Sequence, residues 1–187
     1  DFCLSRGLGD VYKRQIYDLA KIKRVIVSTY QAVSGAGKEG IDELDAQVRE
    51  HSEGREMTAN ILPSASAEKH YPIAFNLIPQ IDVFCDNLYT KEEMKMVNET
   101  KKIMEDYEMR ITATTIRVPV YRSHSESVNI ELEKEVDLGA MREALAKFPG
   151  VTVQDDPSKQ EYPMPLYTSE KDDVYVGRLR RDESLSL

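Results

Sequence analysis

In the stretch SVNIELE, the apolar residues Val128, Ile130 and Leu132 alternate with Asn129, Glu131 and Glu133. A two-residue period marks a half-buried β-strand, because successive side chains leave opposite faces of the pleat. Directly upstream, RITATTIRVPV is dense in β-branched residues, and only the polar segment around Tyr121–Ser125 separates the two runs. Earlier still, KRVIVSTY at residues 23–30 reads as a further, buried strand. Any fold for this chain must therefore carry a sheet. A length of 187 residues allows one sizeable domain or two small ones.

Helical periods fall between these strands. After the small-residue turn Ser34–Gly37, the spacing of Ile41, Leu44 and Val48 predicts a helix with those residues on its buried face. Residues 52–72 show no clear period and read as a long loop. AFNLIPQIDVF looks extended, interrupted at Pro79, and the adjoining Cys85 reads as a buried packing residue on an apolar strand. Thr90 and Glu93 form a capping box that opens a second helix, with Met94, Val97, Met104 and Tyr107 as its apolar face. Asp137 caps a third, carrying Leu138, Met141, Leu145 and Phe148 and stopping at Gly150. VTVQD and DVYVGRLRRD supply two short strands, read as hairpin-like neighbours late in the chain. Strands outnumber helices, so the expected class is α+β: a mixed, largely antiparallel sheet covered by helices.

Composition narrows the function. A net charge of −8 disfavours nucleic acid as a partner, since phosphate backbones select basic surfaces. No apolar run approaches the roughly 20 residues that span a bilayer, so no membrane association is expected. Cys3 and Cys85 make neither a disulfide framework nor a metal-ligand spacing, which suits a reducing cytoplasm. His51, His70 and His124 are too scattered for a zinc motif, and no metal is expected. The opening SRGLGDVYKRQ resembles the translation of a transposase sequencing adapter, and the closing LSL fits the same adapter read inward. Residues 1–15 and 185–187 are therefore expected to be added sequence, and residues 16–184 an internal stretch of a longer protein.

Four local features could share one cleft. Gln31 ends a strand just before the Ser34-Gly35 turn and a helix N-terminus, where free backbone N–H groups favour anions, although such turns also serve packing alone. Glu92 and Lys95 share a helix face, as a solvated ion pair or as a binding pair. Arg117 closes an apolar strand, an unusual place for a guanidinium unless it grips a carboxylate. His124 lies at the next turn, either solvated or positioned to exchange protons.

STYQAVSGAGKEG, YTKEEMKMVNETKKI, IRVPVYRSHSESV and DVYVGRLRRDES together resemble the aspartate-semialdehyde dehydrogenase family, over essentially all of residues 16–184. The resemblance implies a glyceraldehyde-3-phosphate-dehydrogenase-like C-terminal catalytic and dimerisation domain, with a Rossmann domain preceding it. It implies NADP-dependent reductive dephosphorylation of L-aspartyl-4-phosphate to the semialdehyde. That step feeds lysine, diaminopimelate, methionine and threonine synthesis, in a cytoplasmic homodimer or a tetramer built from it. By position, Gln31 matches the active-site glutamine that contacts the substrate near the thioester. Ser34 and Gly35 match the loop at the nicotinamide end of NADP. Glu92 matches the contact to the substrate amine, Lys95 the phosphate-binding lysine, Arg117 the α-carboxylate arginine, and His124 the general acid/base.

The sequence also departs from the family. The nucleophilic cysteine of an Asn-Cys-Ser-Thr segment would align with Leu4, inside the adapter-like stretch; Cys3 is one residue off and its neighbours do not match. The upstream phosphate-binding arginine, the dinucleotide-binding glycines and the C-terminal Asp-Asn-Leu-Arg-Lys-Gly helix find no counterpart either. The chain alone is therefore expected to be inactive. Two other readings stand beside this one: an N-acetyl-γ-glutamyl-phosphate reductase-like enzyme, and a non-catalytic dimerisation module.

Overall fold

The structure is a computed structural model and describes residues 16–185. The adapter-like stretches at residues 1–15 and 185–187, apart from Leu185, lie outside the described residues. In chain order the elements are β1 (Ile22–Gln31), a 3-10 turn (Val33–Ala36), α1 (Gly37–Ser52), α2 (Lys91–Met104), β2 (Arg110–Arg117), β3 (Ser125–Leu132), α3 (Leu138–Ala146), β4 (Val151–Val153), a second 3-10 turn (Pro157–Lys159), α4 (Pro165–Thr168) and β5 (Val174–Val176). The chain divides into two compact units. One comprises Ser28–Val97 and Ala113–Ser127, and the other the remaining described residues.

β1 is the middle strand of a sheet ordered β2-β1-β3. Val118 N–H donates to Gln31 O, so β2 and β1 finish side by side. Ala32 N–H reaches His124 just before β3 begins, whereas Glu133 N–H, past the end of β3, donates to Lys21 O just before β1. β3 thus runs back along β1 while β2 runs with it, so the sheet is mixed, as the α+β reading expects, but not largely antiparallel. This topology gathers the last residue of β1, the last of β2 and the residue preceding β3 at one end.

In the unit holding Ser28–Val97, the core is built from Val33, Leu44, Leu62, Ile73, Ala74 and Ile78. α1 departs from its expected face. Val48 is exposed, and Gln47 is completely buried instead. Its side-chain carbonyl accepts from Ile73 N–H (2.8 Å) and Ala74 N–H (3.0 Å), and its amide donates to Thr58 O (2.8 Å). The chain between α1 and α2 has no strand partner along most of its length, so a side chain satisfies its buried backbone groups. AFNLIPQIDVF is not a strand: Ile78 makes an isolated bridge to Arg117, while Phe75, Leu77 and Phe84 are exposed. Cys85 is half-buried in a tight turn, its N–H donating to Tyr89 O at 2.7 Å, and is neither on a strand nor a core residue.

The capping box forms as expected: Glu93 N–H donates to Thr90 Oγ1 (3.2 Å) and Thr90 N–H to Glu93 Oε2 (2.8 Å). The expected apolar face of α2 is only partly met. Glu93, Thr100 and Met104 are its buried positions, and Tyr107 lies beyond the helix end, exposed.

In the other unit, Ile16, Met141, Leu145 and Val151 form the core, with Ile130, Leu132, Val136 and Phe148 packed against it. Asp137 caps α3 by accepting from Ala140 N–H at 3.0 Å. β4 and β5 pair in parallel, with Val151 opposite Val174, and make a separate two-stranded sheet rather than a hairpin. A parallel pair needs a crossover, which the long connection through α4 provides. Arg142 Nε donates to Asp155 at 2.8 Å, and the same carboxylate accepts from Arg178 N–H at 2.7 Å.

Candidate active site

Ala32 lies directly after β1, and its peptide groups are held from two sides. Arg117 Nη1 donates to Ala32 O at 2.8 Å, while Ala32 N–H donates to His124 Nδ1 at 3.0 Å. The loop from Val118 to Ser123 is fastened alongside. Val33 N–H donates to Val120 O (2.8 Å) and Ser34 N–H to Tyr121 O (3.1 Å). Tyr121 reaches further, its hydroxyl donating to Asp45 on α1 at 2.5 Å. Ser123 adopts a positive φ of 70°, a conformation that costs energy in a non-glycine residue and sets the direction of the next side chain, His124.

Gly35 lies close beneath the Arg117 guanidinium. A Cβ there would lie 2.6 Å from Arg117 Nη1 and 3.6 Å from His124 Cε1, so a side chain at this position would push the guanidinium from its place on Ala32 O. Arg117, His124 and Gly35 therefore form one cluster. Gln31 is buried beside it, its carbonyl engaged by Val118 N–H. The expected free amides of the Ser34-Gly35 turn are not there, since Ser34 N–H is taken by Tyr121 O and Gly35 N–H by Ala32 O (3.2 Å).

The electrostatics follow from burial. Arg117 is 4% exposed, and its Nε is buried with no hydrogen-bond partner in the chain. Desolvation pulls the guanidinium down to about 10, against the opposing charge of Glu92. It remains a cation at neutral pH, with donor capacity left over. His124 is pushed down to about 4, first by burial and then by Arg117, with Glu92 acting the other way. It is a neutral imidazole at pH 7. Because Nδ1 accepts from an amide, the ring proton sits on Nε2. His124 is thus held as an Nε2–H donor, and accepting a proton at Nε2 requires the other tautomer and release of Ala32.

Glu92 and Lys95, both partly exposed on the first turns of α2, pair at 3.4 Å. The charge of Glu92 reaches both Arg117 and His124. A guanidinium, an imidazole donor, a carboxylate and an ammonium so placed can hold a small zwitterion by its carboxylate and amine while presenting a proton to a third group. Sequence reasoning missed Ala32 and the Tyr121–Asp45 link. Nothing local marks either, since each depends on partners distant in the chain.

An α+β domain with a buried arginine and a neutral histidine at one end of its sheet is the class that fold and site define. The chain belongs to the semialdehyde dehydrogenase dimerisation-domain family, whose profile matches residues 14–187. It is 50% identical over 169 residues to aspartate-semialdehyde dehydrogenase of Aquifex aeolicus, covering 90% of this chain and 48% of that protein. Against the enzyme of Bacillus subtilis it is 51% identical over 170 residues, with coverage of 90% and 48%. The chain thus spans about half the length of the curated relatives it matches. Among solved structures, aspartate semialdehyde dehydrogenase II of Vibrio cholerae superposes with a TM-score of 0.88 at 40% identity, covering 97% of this chain and 51% of that one. The same protein has been solved complexed with ASA. The expected glyceraldehyde-3-phosphate-dehydrogenase-like α+β fold is the one found. No helix among the described residues is long and apolar enough to cross a membrane.

Proposed function

We propose that residues 16–184 are the catalytic and dimerisation part of an aspartate-semialdehyde dehydrogenase, with residues 1–15 and 185–187 as added sequence. The enzyme converts L-aspartyl-4-phosphate, NADPH and a proton to L-aspartate 4-semialdehyde, phosphate and NADP⁺. It works as a cytoplasmic homodimer and supplies lysine, diaminopimelate, methionine and threonine synthesis. The observation that carries this reading is the convergence of Arg117 and His124 on Ala32, within reach of the Glu92 charge.

Arg117 binds the α-carboxylate, and its buried Nε, which has no partner in the chain, is a donor left for that ligand. Glu92 binds the α-ammonium and Lys95 the phosphate. Gln31 contacts the acyl end. His124 exchanges a proton at Nε2 with the reacting group. Gly35 is exposed and has no side chain, so its backbone lies open beside His124, and with Ser34 it meets the nicotinamide end of NADP. When bound, that cofactor supplies the hydride. Neither Cys3 nor Cys85 is assigned as the nucleophile.

The reductase that acts on an N-acetylated substrate is disfavoured by Glu92, because an acetylated amine carries no charge for the carboxylate to bind. A non-catalytic module leaves Arg117 Nε buried without purpose. The test joins residues 16–184 to the upstream half of the Bacillus subtilis relative and supplies NADP, phosphate and each semialdehyde. NADPH formation with aspartate semialdehyde supports the reading. Preference for the N-acetylated glutamate semialdehyde, or no turnover with either, sinks it.

A further inference from the structure

A capping box normally uses its glutamate for one purpose, to satisfy the N–H of its own N-cap. Glu93 does more. While Oε2 accepts from Thr90 N–H at 2.8 Å, Oε1 accepts from Thr115 N–H at 2.9 Å, on the outer edge of β2. The carboxylate is 8% exposed, and both donors are buried. Two elements far apart in sequence are therefore joined through one rigid group, with an oxygen for each.

What flanks the two contacts gives them a functional meaning. Glu92 and Lys95 sit beside Glu93 on the first turns of α2, and Arg117 follows Thr115 by two residues on the same face of β2. Thr90, Glu93 and Thr115 are themselves buried. We propose that Glu93 is a positioning residue: it sets the spacing between the ammonium-binding Glu92 and the carboxylate-binding Arg117, and so matches the site to an α-amino acid. This rests on the roles given to Glu92 and Arg117 above. A carboxylate suits the task because it only accepts, at two oxygens about as far apart as the two N–H groups it serves. In Glu93→Gln the volume is unchanged, but the amide nitrogen would face a backbone N–H, donor against donor, and one of the two links must open.

The experiment uses the whole chain and two probes, L-aspartate and succinate, which differ in the ammonium. Titrations followed by NMR compare wild type, Glu92→Gln, Glu93→Gln and the double variant. Wild type should prefer aspartate by about tenfold, the scale of one charge-assisted contact. Glu92→Gln should abolish that preference, and Glu93→Gln should remove most of it while leaving succinate binding within about twofold. The double variant should be no worse than either single, since both act through the same carboxylate. Loss of aspartate and succinate binding in equal measure by Glu93→Gln, or additive effects in the double variant, would overturn the proposal while leaving Glu92 in its role. A wild type or Glu92→Gln chain with no altered preference would instead remove the reading of Glu92, and this inference with it. Glu93→Asp, which keeps both acceptors but is one methylene shorter, should fall between. If neither Glu93 variant folds, the residue belongs to the core and the positioning role is wrong.

Discussion

Arg117 and His124 hold opposite ends of one residue: the guanidinium donates to the carbonyl of Ala32 and the imidazole accepts from its N–H. The two side chains are thereby locked to a common piece of backbone rather than to each other. Neither can shift without disturbing the end of β1, so their separation is set by the sheet. Such rigidity is what a site needs if a reacting group is to meet a proton donor at fixed distance.

In the enzyme completed with the Bacillus subtilis upstream half, His124→Ala should lower kcat by about 10²–10⁴ while KM changes little, because proton transfer acts in the transition state rather than in binding. Steady-state kinetics check this. A kcat within about twofold of the parent would exclude the assignment.

Arg117→Lys keeps a charge but loses both the planar fork and the reach to Ala32 O. The expected result is a kcat/KM for aspartate semialdehyde lower by at least about tenfold, matching one lost charge-assisted contact. Unchanged kinetics would place Arg117 outside the site.

Acid should weaken the fold through His124. Its folded value of about 4 lies below the ordinary 6.5, so the unfolded chain binds the proton more readily between those limits. Stability from the neutral imidazole is fully present above about pH 6.5 and is lost as pH falls through 4, by up to about 3 kcal/mol. Urea midpoints at pH 7 and pH 4.5 should therefore fall further for wild type than for His124→Gln, which cannot titrate. Equal falls would mean that His124 is solvated.

Gln47→Leu should destabilise the chain by about 2–4 kcal/mol, since two buried N–H groups, those of Ile73 and Ala74, lose their acceptor. Urea unfolding measures this directly. A loss below about 0.5 kcal/mol would show that the loop satisfies itself in another way.

What could be read from the sequence was what depends on neighbours in the chain. The strand at residues 23–30, the Thr90–Glu93 box and the Asp137 cap form where local pattern places them, and the run at residues 110–120 is a strand as far as Arg117. The anchor shared by Arg117 and His124 was hidden, because Ala32 is 85 and 92 residues away from them and carries no chemistry in its side chain. Gln47 was hidden for a similar reason: a polar residue beside Val48 looks solvent-facing until the loop that folds over it is known. The parallel pairing of β4 with β5 depends on a crossover whose path no short window of residues records.

The middle position of β1 bears on how such a chain can change over generations. Deleting or inserting one residue in β2 would bring Ile116 or Val118 to the place of Arg117 and turn the guanidinium to the other face of the sheet. A similar slip in β3 would carry His124 away from Ala32. Descent can therefore alter these strands by replacing residues one for one, but hardly by changing their length. The stretch following α1 has no such register to keep, provided that the backbone groups answering Gln47 return to it. Length differences among descendants should collect there.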